Sequence, residues 1–577
     1  MNAQTKRSGV EVLKETSRGL RGELAEELAA GGTQVSEDSY NLLKFHGSYE
    51  QYDRDTATEL KQHGQEKAYS FMVRVRMPGG RLTASQYLAL DAMSETYANA
   101  TLRITSRQGI QFHGVLKGDL KPAIAAINET LLTTQAACGD VVRNVITSPA
   151  PVHDAVHARL EADARMLSAA LLPNSRAYHQ IFLDEPATEG SGKEPEPLYG
   201  PTFLPRKFKI AIARPEDNTP DVLANDLGVI AIFDGQTLVG YNIAIGGGLG
   251  MTHNRKDTYP RLASVIGSVG PDELLAASEA VIRFQRDHGN RADRKRARLK
   301  YVLDDMGMDW VRDRVGEQFG RRMADPLPMP QFQVPELLGW HEQGDGRLWL
   351  GVPVPSGRIE DTAGVRVRTA LREIVVGFGT DPIMTPQQDV LLPNIQPSDR
   401  AAIEAVLRGH GVKLAGEYSP LGLWTMACPA LPTCGLALTE AERVHQPIVE
   451  VIDASLRRHG LENERISLRI TGCPNGCARS YTGDIGLVGR VPGSYAIFVG
   501  GDFEGTRLSF KLLERVKLAE LGAKLEPLFA AFAAGREPNE GFGNFCNRLG
   551  LDALLGLIAA SEPPASVPPA SVPAAAE

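Results

Sequence analysis

Short segments of alternating apolar and polar residues recur along the chain, and this pattern predicts strands. The segment 69–76 alternates in this way and is followed by a turn at Pro78-Gly79-Gly80. Residues 85–100 are predicted to form a helix, and the segment 102–114 is predicted to form a second strand. Strand, turn, helix and strand in this order indicate an α+β unit.

The second predicted strand carries polar residues on one face, because successive strand residues point to opposite sides. These residues are Arg103, Thr105, Arg107, Gln111 and His113. A lone arginine on a strand is usually solvated, whereas several cationic or imidazole groups on one face favour an anionic ligand. Arg143 adds a further cationic candidate, while Cys138 has no partner in the sequence and is expected to be an ordinary core thiol.

A further cationic strand is predicted near residue 208. Lys207 and Lys209 share one face of this strand, and Phe208 and Ile210 occupy the other. The stretch 289–301 is also basic and is predicted to be helical. Its composition alone fits a solvated helix face or an RNA-binding patch.

A partial internal repeat indicates that the α+β unit is duplicated. Met77-Pro-Gly-Gly-Arg-Leu82 recurs as Val354-Pro-Ser-Gly-Arg-Ile359, and Ile104-Thr-Ser-Arg-Gln108 recurs weakly as Met384-Thr-Pro-Gln-Gln388. The two offsets, 277 and 280 residues, are nearly equal. Chance rarely produces two matches in step, so we predict two related halves.

Composition excludes several classes of protein. The chain has 577 residues, of which 42% are hydrophobic, so it can fill large cores in several domains. A net charge of −8 and a pI near 5.9 argue against a general nucleic-acid binder. The N-terminus lacks the apolar segment of a secretory signal, and no run of eighteen apolar residues predicts a membrane span. The sequence therefore predicts a cytoplasmic protein.

Four of the six cysteines lie in two short loops rich in Gly and Pro. They form a C-x5-C pair, Cys428 and Cys434, and a C-x3-C pair, Cys473 and Cys477. Thiolates are ligands for iron–sulfur clusters, zinc or Cu(I), and zinc pairs are usually spaced C-x2–4-C. The spacing favours a four-cysteine iron–sulfur cluster over zinc, with four buried structural thiols as the remaining alternative.

These loops, Cys428-Pro-Ala-Leu-Pro-Thr-Cys434 and Thr471-Gly-Cys473-Pro-Asn-Gly-Cys477, resemble the sirohaem and 4Fe–4S centre of assimilatory sulfite and nitrite reductases. The resemblance covers about residues 15–556 and is closest to sulfite reductase haemoproteins. It implies that all four cysteines bind the cluster and that Cys477 is also the axial ligand of the sirohaem iron. It further implies reduction of sulfite to sulfide in sulfate assimilation and cysteine biosynthesis, with nitrite reduction to ammonia as the alternative.

The resemblance also implies roles for residues outside the cysteine loops. Four residues are expected to surround the substrate: Arg74, Arg143, Lys207 and Lys209. Others are expected to bind the sirohaem: Arg103, Thr105, Arg107, Gln111, His113, Arg206, Asn242, Asn290 and Arg298. Two residues depart from the family pattern, Asp389 and Asn544, and Asp389 leaves open whether its carboxyl faces the cofactor.

The electron donor is expected to be another chain. The Gly-rich stretch 240–250 lacks the spacing of a dinucleotide-binding loop, so no NADPH site is predicted. The resemblance favours a flavoprotein reductase subunit as the partner, with ferredoxin second.

The predicted fold is α+β, with pseudo-twofold duplicated ferredoxin-like halves and two cofactor-binding α/β domains around the sirohaem–cluster centre. The expected divisions are an arm (1–65), the first half (66–150), a sirohaem-facing domain (155–335), the second half (340–412), the iron–sulfur and sirohaem domain (415–560) and a disordered Pro/Ala tail (561–577). The segment 45–55 of the arm is expected to be ordered and packed on the body.

Overall fold

The computed structural model describes residues 7–186 and 196–561, so the Pro/Ala tail from residue 562 lies outside the described residues. The described helices are α1 (Gly9–Thr16), α2 (Leu24–Ala29), α3 (Glu37–Leu43), α4 (Ala57–Gln62), α5 (Ala84–Tyr97), α6 (Lys117–Glu129), α7 (Ala155–Ala170), α8 (Ala177–Phe182), α9 (Leu274–His288), α10 (Leu299–Met306), α11 (Met308–Phe319), α12 (Val367–Phe378), α13 (Arg400–Gly409), α14 (Pro420–Leu423), α15 (His445–Arg458), α16 (Leu521–Gly535) and α17 (Phe542–Ser561). None of these helices is long and apolar enough to span a bilayer.

The strands of the same residues form four sheets. They are β1 (Ser48–Tyr52), β2 (Tyr69–Arg74), β3 (Leu102–Ile104), β4 (Ile110–Val115), β5 (Ile210–Ala213), β6 (Leu227–Asp234), β7 (Thr237–Ile245), β8 (Ser264–Val269), β9 (Gly339–Glu342), β10 (Leu348–Val352), β11 (Arg358–Ile359), β12 (Ile383–Met384), β13 (Val390–Ile395), β14 (Thr425–Ala427), β15 (Leu468–Thr471), β16 (Ile485–Val491), β17 (Ser494–Val499) and β18 (Phe510–Lys517).

Two antiparallel sheets confirm the predicted duplication. The first has the order β1-β2-β4-β3, extended by β11, and the second has the equivalent order β9-β10-β13-β12. Helices α5 and α6 of the first half correspond to α12 and α13 of the second in chain order. The arm strand β1 occupies the place of β9, so the arm is ordered and its strand completes the sheet of the first half.

The two halves exchange short backbone contacts at the repeated turns. In one direction β11 pairs with β3, and in the other Arg81 forms a bridge with Ile383. Gly80 has φ +75°, and a Cβ there would lie 2.1 Å from the carbonyl oxygen of Met384. Gly357 repeats this geometry, with φ +73° and a Cβ that would lie 2.4 Å from the carbonyl oxygen of Ile104. Only glycine fits these turns without displacing the opposite half.

The other two sheets are mixed. In the sheet β5-β6-β7-β8 the first pair is parallel and the rest is antiparallel. In the sheet β14-β15-β16-β17-β18 the first two pairs are parallel and the last two antiparallel. The second of these sheets has its own apolar core, whereas the first shares a core with the two halves. Along the chain, the sheet β5-β6-β7-β8 comes after the first ferredoxin-like half, and the sheet β14-β15-β16-β17-β18 comes after the second.

The predicted strand 102–114 is instead a hairpin, in which a tight turn separates β3 from β4. The Thr105 hydroxyl accepts hydrogen bonds from the N–H groups of Arg107 and Gly109, and Gln108 has φ +53°. The hydroxyl thus provides a local alternative to strand pairing. The alternation predicted that the five polar residues share one face of a single strand. This prediction is wrong, because they are divided between β3, the turn and β4. The basic stretch 289–301 is helical only in part, because it contains a short 3-10 helix (Arg294–Arg296) and the first three residues of α10, which begins at Leu299.

Asp389 lies at the equivalent hairpin of the second half. Its N–H donates to the Thr385 hydroxyl at 2.9 Å, as that of Gly109 does to Thr105. Its carboxylate accepts a hydrogen bond from the N–H of Val354 at 2.9 Å. Burial raises the pKa of Asp389 to about 8, and the charge of Glu336 adds to the rise. Its charged neighbour is thus the carboxylate of Glu336, just before β9, and none of the predicted substrate-binding cations acts on it.

Gly80→Ala is expected to lower the stability of the protein by about 2–4 kcal/mol. The substitution combines a positive φ with a contact to the backbone of the other half. The matched control is Gly118→Ala in α6, where an added Cβ meets nothing within 4 Å. Thermal unfolding followed by circular dichroism measures both variants. Equal midpoints would contradict the proposed closeness of the two halves.

Asp389→Asn is expected to stabilise the protein by roughly 1–3 kcal/mol at pH 9 and by less at pH 5. The folded carboxyl holds its proton up to about pH 8, whereas the unfolded carboxyl ionises near 3.8. Stability is therefore lost as pH rises between these values, and the amide removes that loss while still accepting from Val354. Unfolding at the two pH values tests this, with exposed Asp234→Asn as the control. A gain that does not depend on pH would count against a buried, titrating carboxyl.

Candidate active site

Two neighbouring strands deliver the cysteine loops to one edge of a sheet. Cys428 follows β14 and Cys473 follows β15 closely, and these two strands run parallel. The N–H of Gly472 donates to the Cys428 sulfur at 3.3 Å, and the Asn475 amide donates to the Cys473 sulfur at 3.5 Å. Gly472 has no room for a side chain, because a Cβ would lie 2.6 Å from Ala430 and from the Thr439 carbonyl oxygen. Glycine thus lets the two loops pack closely.

The four predicted cysteine ligands influence one another electrostatically. Burial raises the pKa of Cys473 to about 12, and the neighbouring Cys477 adds to the rise. The pKa of Cys428 is raised in the same way, first by burial and then by Cys477, and Cys434 and Cys473 have smaller effects. Thiols in this arrangement ionise readily only when a cationic group binds among them. The donor set therefore fits a positively charged metal centre.

The described residues contain no site for a single metal ion. Within residues 7–186 and 196–561, no three His, Cys, Asp or Glu side chains converge as ligands of one metal ion must. A four-iron cluster needs wider spacing, since each thiolate binds a different iron. Cys428 and Cys473 are buried, Cys434 is half-buried and Cys477 is exposed. An exposed Cys477 leaves its sulfur open to a further partner.

The predicted substrate residues come together beside Cys477 from three segments. The segment after Cys138 runs parallel to the chain before β5, where the N–H of Arg143 donates to the Phe208 carbonyl at 3.0 Å. Arg74 comes from the end of β2. Phe208 is fully buried, while Lys207 and Lys209 are half-buried, so the predicted alternation is confirmed.

The hairpin turn between β3 and β4 covers the same region. The Ser106 hydroxyl donates to the Cys477 carbonyl oxygen at 3.0 Å. Arg107 donates to the side chain of Asn225 at 2.6 Å and to the Ile210 carbonyl oxygen at 3.0 Å. Arg107 therefore links the hairpin to the start of β5, which follows Lys209 directly.

Burial and mutual repulsion perturb the cations of this region. Burial lowers the pKa of Lys209 to about 7, and Arg107 and Arg298 lower it further, against the opposite effect of Cys477. The pKa of Lys207 falls well below its ordinary value through burial and the charge of Arg143. Burial lowers the pKa of Arg107 to about 9, again with a contribution from Arg143. These side chains face one another with too few carboxylates to balance them.

Several donors in this region have no acceptor. The Nε atoms of Arg74 and Arg107 are buried and without a hydrogen bond. Neither ammonium group, of Lys207 or Lys209, has a carboxylate or hydrogen-bond partner in the described part of the chain. Half-buried cations with buried, unpaired donor atoms favour a counter-charge, so this arrangement fits a polyanionic group and an anionic substrate.

The remaining residues predicted to bind sirohaem have protein partners. Arg103 donates to Glu442 and to the Ala427 carbonyl oxygen just before Cys428, and Arg298 forms a two-point ion pair with Asp226. His113 contacts the Gln51 side chain, and the Asn242 side chain contacts the backbone of Leu327. The Asn290 side chain accepts hydrogen bonds from the backbone N–H groups of residues 292 and 293. Gln111 is buried, and the Arg206 guanidinium lies 3.7 Å from the Asp140 carboxylate. Direct contact of these residues with a cofactor stays a prediction.

An ion network joins the first helix to the cationic region. Lys14 and Glu11 are fully buried and paired at 2.6 Å, and Lys14 also donates to the Leu204 carbonyl oxygen. Arg294 contacts Asp140 at 2.8 Å. Asp140 and Leu204 lie just before Arg143 and Lys207, so the network fixes the segments that carry these cations.

Sequence reasoning missed two residues of the site, Tyr49 and the buried Cys138. Cys138 accepts a hydrogen bond from Arg74 at 2.8 Å, so it is not an ordinary core thiol. Although burial lowers it, the pKa of Arg74 is raised by Cys138, Tyr49 and Cys477. Tyr49 lies on β1. No local pattern marked either residue, because their neighbours are distant in sequence.

Comparisons with known proteins identify the family of this chain. A model described as the nitrite/sulfite reductase ferredoxin-like half domain matches residues 63–130 and 341–410. A model described as the nitrite and sulphite reductase 4Fe-4S domain matches residues 162–323. The NirA protein of Mycobacterium tuberculosis has the same fold, with a TM-score of 0.77, 24% identity and coverage of 96% of this chain and 98% of that one.

Curated relatives cover nearly the whole chain. The sulfite reductase (NADPH) hemoprotein beta-component of Myxococcus xanthus is 46% identical over 546 residues, which is 94% of this chain and 96% of the relative. The protein of the same name from Xylella fastidiosa strain M23 is 46% identical over 551 residues, covering 95% and 97%. The chain therefore belongs to the nitrite and sulfite reductase family.

Proposed function

We propose that this chain is the haemoprotein component of an assimilatory sulfite reductase. It would reduce sulfite to sulfide by six electrons at a sirohaem coupled to a 4Fe–4S cluster, in sulfate assimilation and cysteine biosynthesis in the cytoplasm. The observation that carries the proposal is the group of half-buried cations around Cys477, which have too few carboxylates to balance them. The names of the relatives from Myxococcus xanthus and Xylella fastidiosa support it.

The cysteines would hold the two metal groups. Cys428, Cys434, Cys473 and Cys477 would bind the cluster, and Cys477 would also bind the sirohaem iron. When bound, these groups supply the electrons and the reactive iron that no side chain provides. The carboxylates of sirohaem would be balanced by Arg107 and Arg206 among others.

Arginines and lysines have different tasks in this proposal. Arg74 and Arg143 would hold the oxygens of sulfite, because a guanidinium donates through two nitrogens to an oxyanion. The ammonium groups of Lys207 and Lys209 would deliver the protons with which the sulfite oxygens leave as water. A pKa near 7 suits Lys209 to this task, since protonated and neutral forms coexist at neutral pH.

Carboxylates further out hold these donors in place. Asp226 accepts a hydrogen bond from the backbone N–H of Lys209 at 2.9 Å. Arg298 donates to the same carboxylate through Nε and Nη2, each at 2.8 Å. Arg298 thus acts on Lys209 through Asp226. Such fixed geometry lets a charged group act on a reacting anion without rearrangement.

The electron donor would be a separate flavoprotein reductase subunit that uses NADPH, with ferredoxin as the alternative. The family also contains nitrite reductases, so nitrite is the second candidate substrate. The pair of lysines favours sulfite, which carries more negative charge and one more oxygen than nitrite.

Lys209→Asn is expected to lower sulfite turnover about 10- to 1000-fold and nitrite turnover much less, because a charge-assisted contact to the larger anion is lost. Steady-state rates with reduced viologen as donor measure both activities, and absorption spectra verify the cofactors. Lys256→Asn, on the surface, is the control. An equal loss for both anions would assign Lys209 a general role, and no loss would remove it from the site.

Cys477→Ser is expected to abolish sulfite turnover and to remove or strongly perturb both metal groups, since one sulfur would serve both. Iron content, the absorption spectrum of sirohaem and electron paramagnetic resonance report on the two groups separately. The control is Cys546→Ala, a buried cysteine of α17 outside the loops. A Cys477→Ser protein with normal iron, normal spectra and normal turnover would refute the assignment.

A further inference from the structure

Arg54, in the N-terminal arm, contacts the first cysteine loop along three of its residues. Its N–H donates to the Pro432 carbonyl oxygen at 3.1 Å. Its guanidinium donates to the carbonyl oxygens of Cys434 at 3.3 Å and Ala437 at 3.4 Å. Each contact joins segments about 380 residues apart, so nothing local in the sequence announces it.

The arm is held rigidly where it carries Arg54. Strand β1 pairs with β2 up to the pair Tyr52 and Tyr69, and the N–H of Asp53 extends the ladder to the Ala68 carbonyl oxygen at 3.0 Å. Arg54 follows at once. The sheet of the first half therefore fixes the guanidinium against the loop.

The positive charge of Arg54 is not balanced by a carboxylate. No ion pair of Arg54 is found among the residues with described positions, whereas nearby Arg443 pairs with Asp55 at 2.5 Å and with Glu440. Its three acceptors are backbone oxygens of the loop that carries Cys434. Cys434 is half-buried, and Leu436 beside it is 68% exposed, so this is where the loop approaches solvent.

An unbalanced cation next to a cluster ligand acts on electron transfer. Net charge and polar contacts around the sulfurs set the reduction potential of an iron–sulfur cluster, and added positive charge favours the reduced form. The hydrogen bonds of Arg54 also fix the position of the loop where it approaches solvent. One residue would thus shape the loop and tune its redox state.

We propose that Arg54 is a positioning residue for the cluster loop and that its charge raises the reduction potential of the cluster. The inference rests on the proposed cluster at Cys428, Cys434, Cys473 and Cys477. The inference goes beyond the proposed function because it assigns the N-terminal arm an effect on the transfer of electrons to the cluster.

The test is a redox titration of the loaded enzyme, in which electron paramagnetic resonance follows the reduced cluster. Arg54→Gln is expected to shift the one-electron equilibrium about ten-fold toward the oxidised cluster, which corresponds to about 59 mV. Arg54→Lys keeps the charge and should shift the equilibrium by clearly less. Arg443→Gln is the matched control, and its balanced charge predicts almost no shift.

The outcomes separate the inference from the proposed function. An Arg54→Gln cluster with the wild-type potential, or an equal shift in Arg443→Gln, overturns the role of Arg54 while the cluster stands. If Arg54→Gln alone fails to retain iron, the positioning role is supported, and Arg54→Lys then tests the charge. Wild-type protein without any iron–sulfur signal would refute the proposed function, and the inference with it.

Discussion

The constraint on which the site depends is the partial burial of several positive charges with too few negative charges to match them. Arg107 lowers the pKa of Lys209, Lys209 lowers that of Lys207, and Asp226 is the carboxylate that opposes the lowering at Arg107. The nearby carboxylates are engaged by other arginines, because Asp226 pairs with Arg298 and Glu442 pairs with Arg103. The outer arginines are thereby fixed, and the inner cations stay available. A bound anion is attracted by these inner cations, because no group of the protein neutralises them fully.

Duplication supplies the frame for this arrangement, and the two copies have diverged in what they touch. The hairpin of the first half presents Arg107 to the cationic region. At the equivalent hairpin of the second half, Gln388 instead exchanges hydrogen bonds with both backbone groups of Ala427, next to Cys428. Arg103 donates to the same Ala427 carbonyl oxygen. One hairpin thus faces the proposed substrate side, while both halves anchor the first cysteine loop.

Much of this could be predicted from sequence, where the signal is local or repeated. The cysteine loops, the alternation around Phe208 and the offset of the repeated turns each lie within a few residues or recur at constant spacing. The turn at Thr105 could not be told from a strand, because one hydroxyl replaces the ladder there. The partners of Arg103 and Arg298 were also hidden, since they lie 339 and 72 residues away. Alternation shows which way a side chain points, but not which carboxylate folding brings to it.

The N-terminal arm shows most clearly how distance in the chain conceals function. Its composition fits a solvated segment, yet it reaches both sides of the proposed centre. Lys14 and Glu11 brace the segments that carry Arg143 and Lys207, and Arg54 meets the loop of Cys434. A fully buried ion pair is costly unless every charge finds a partner, so α1 is stable only when docked on this frame. Three charged residues of the arm, Glu11, Lys14 and Arg54, therefore pack against the segments that carry the proposed centre.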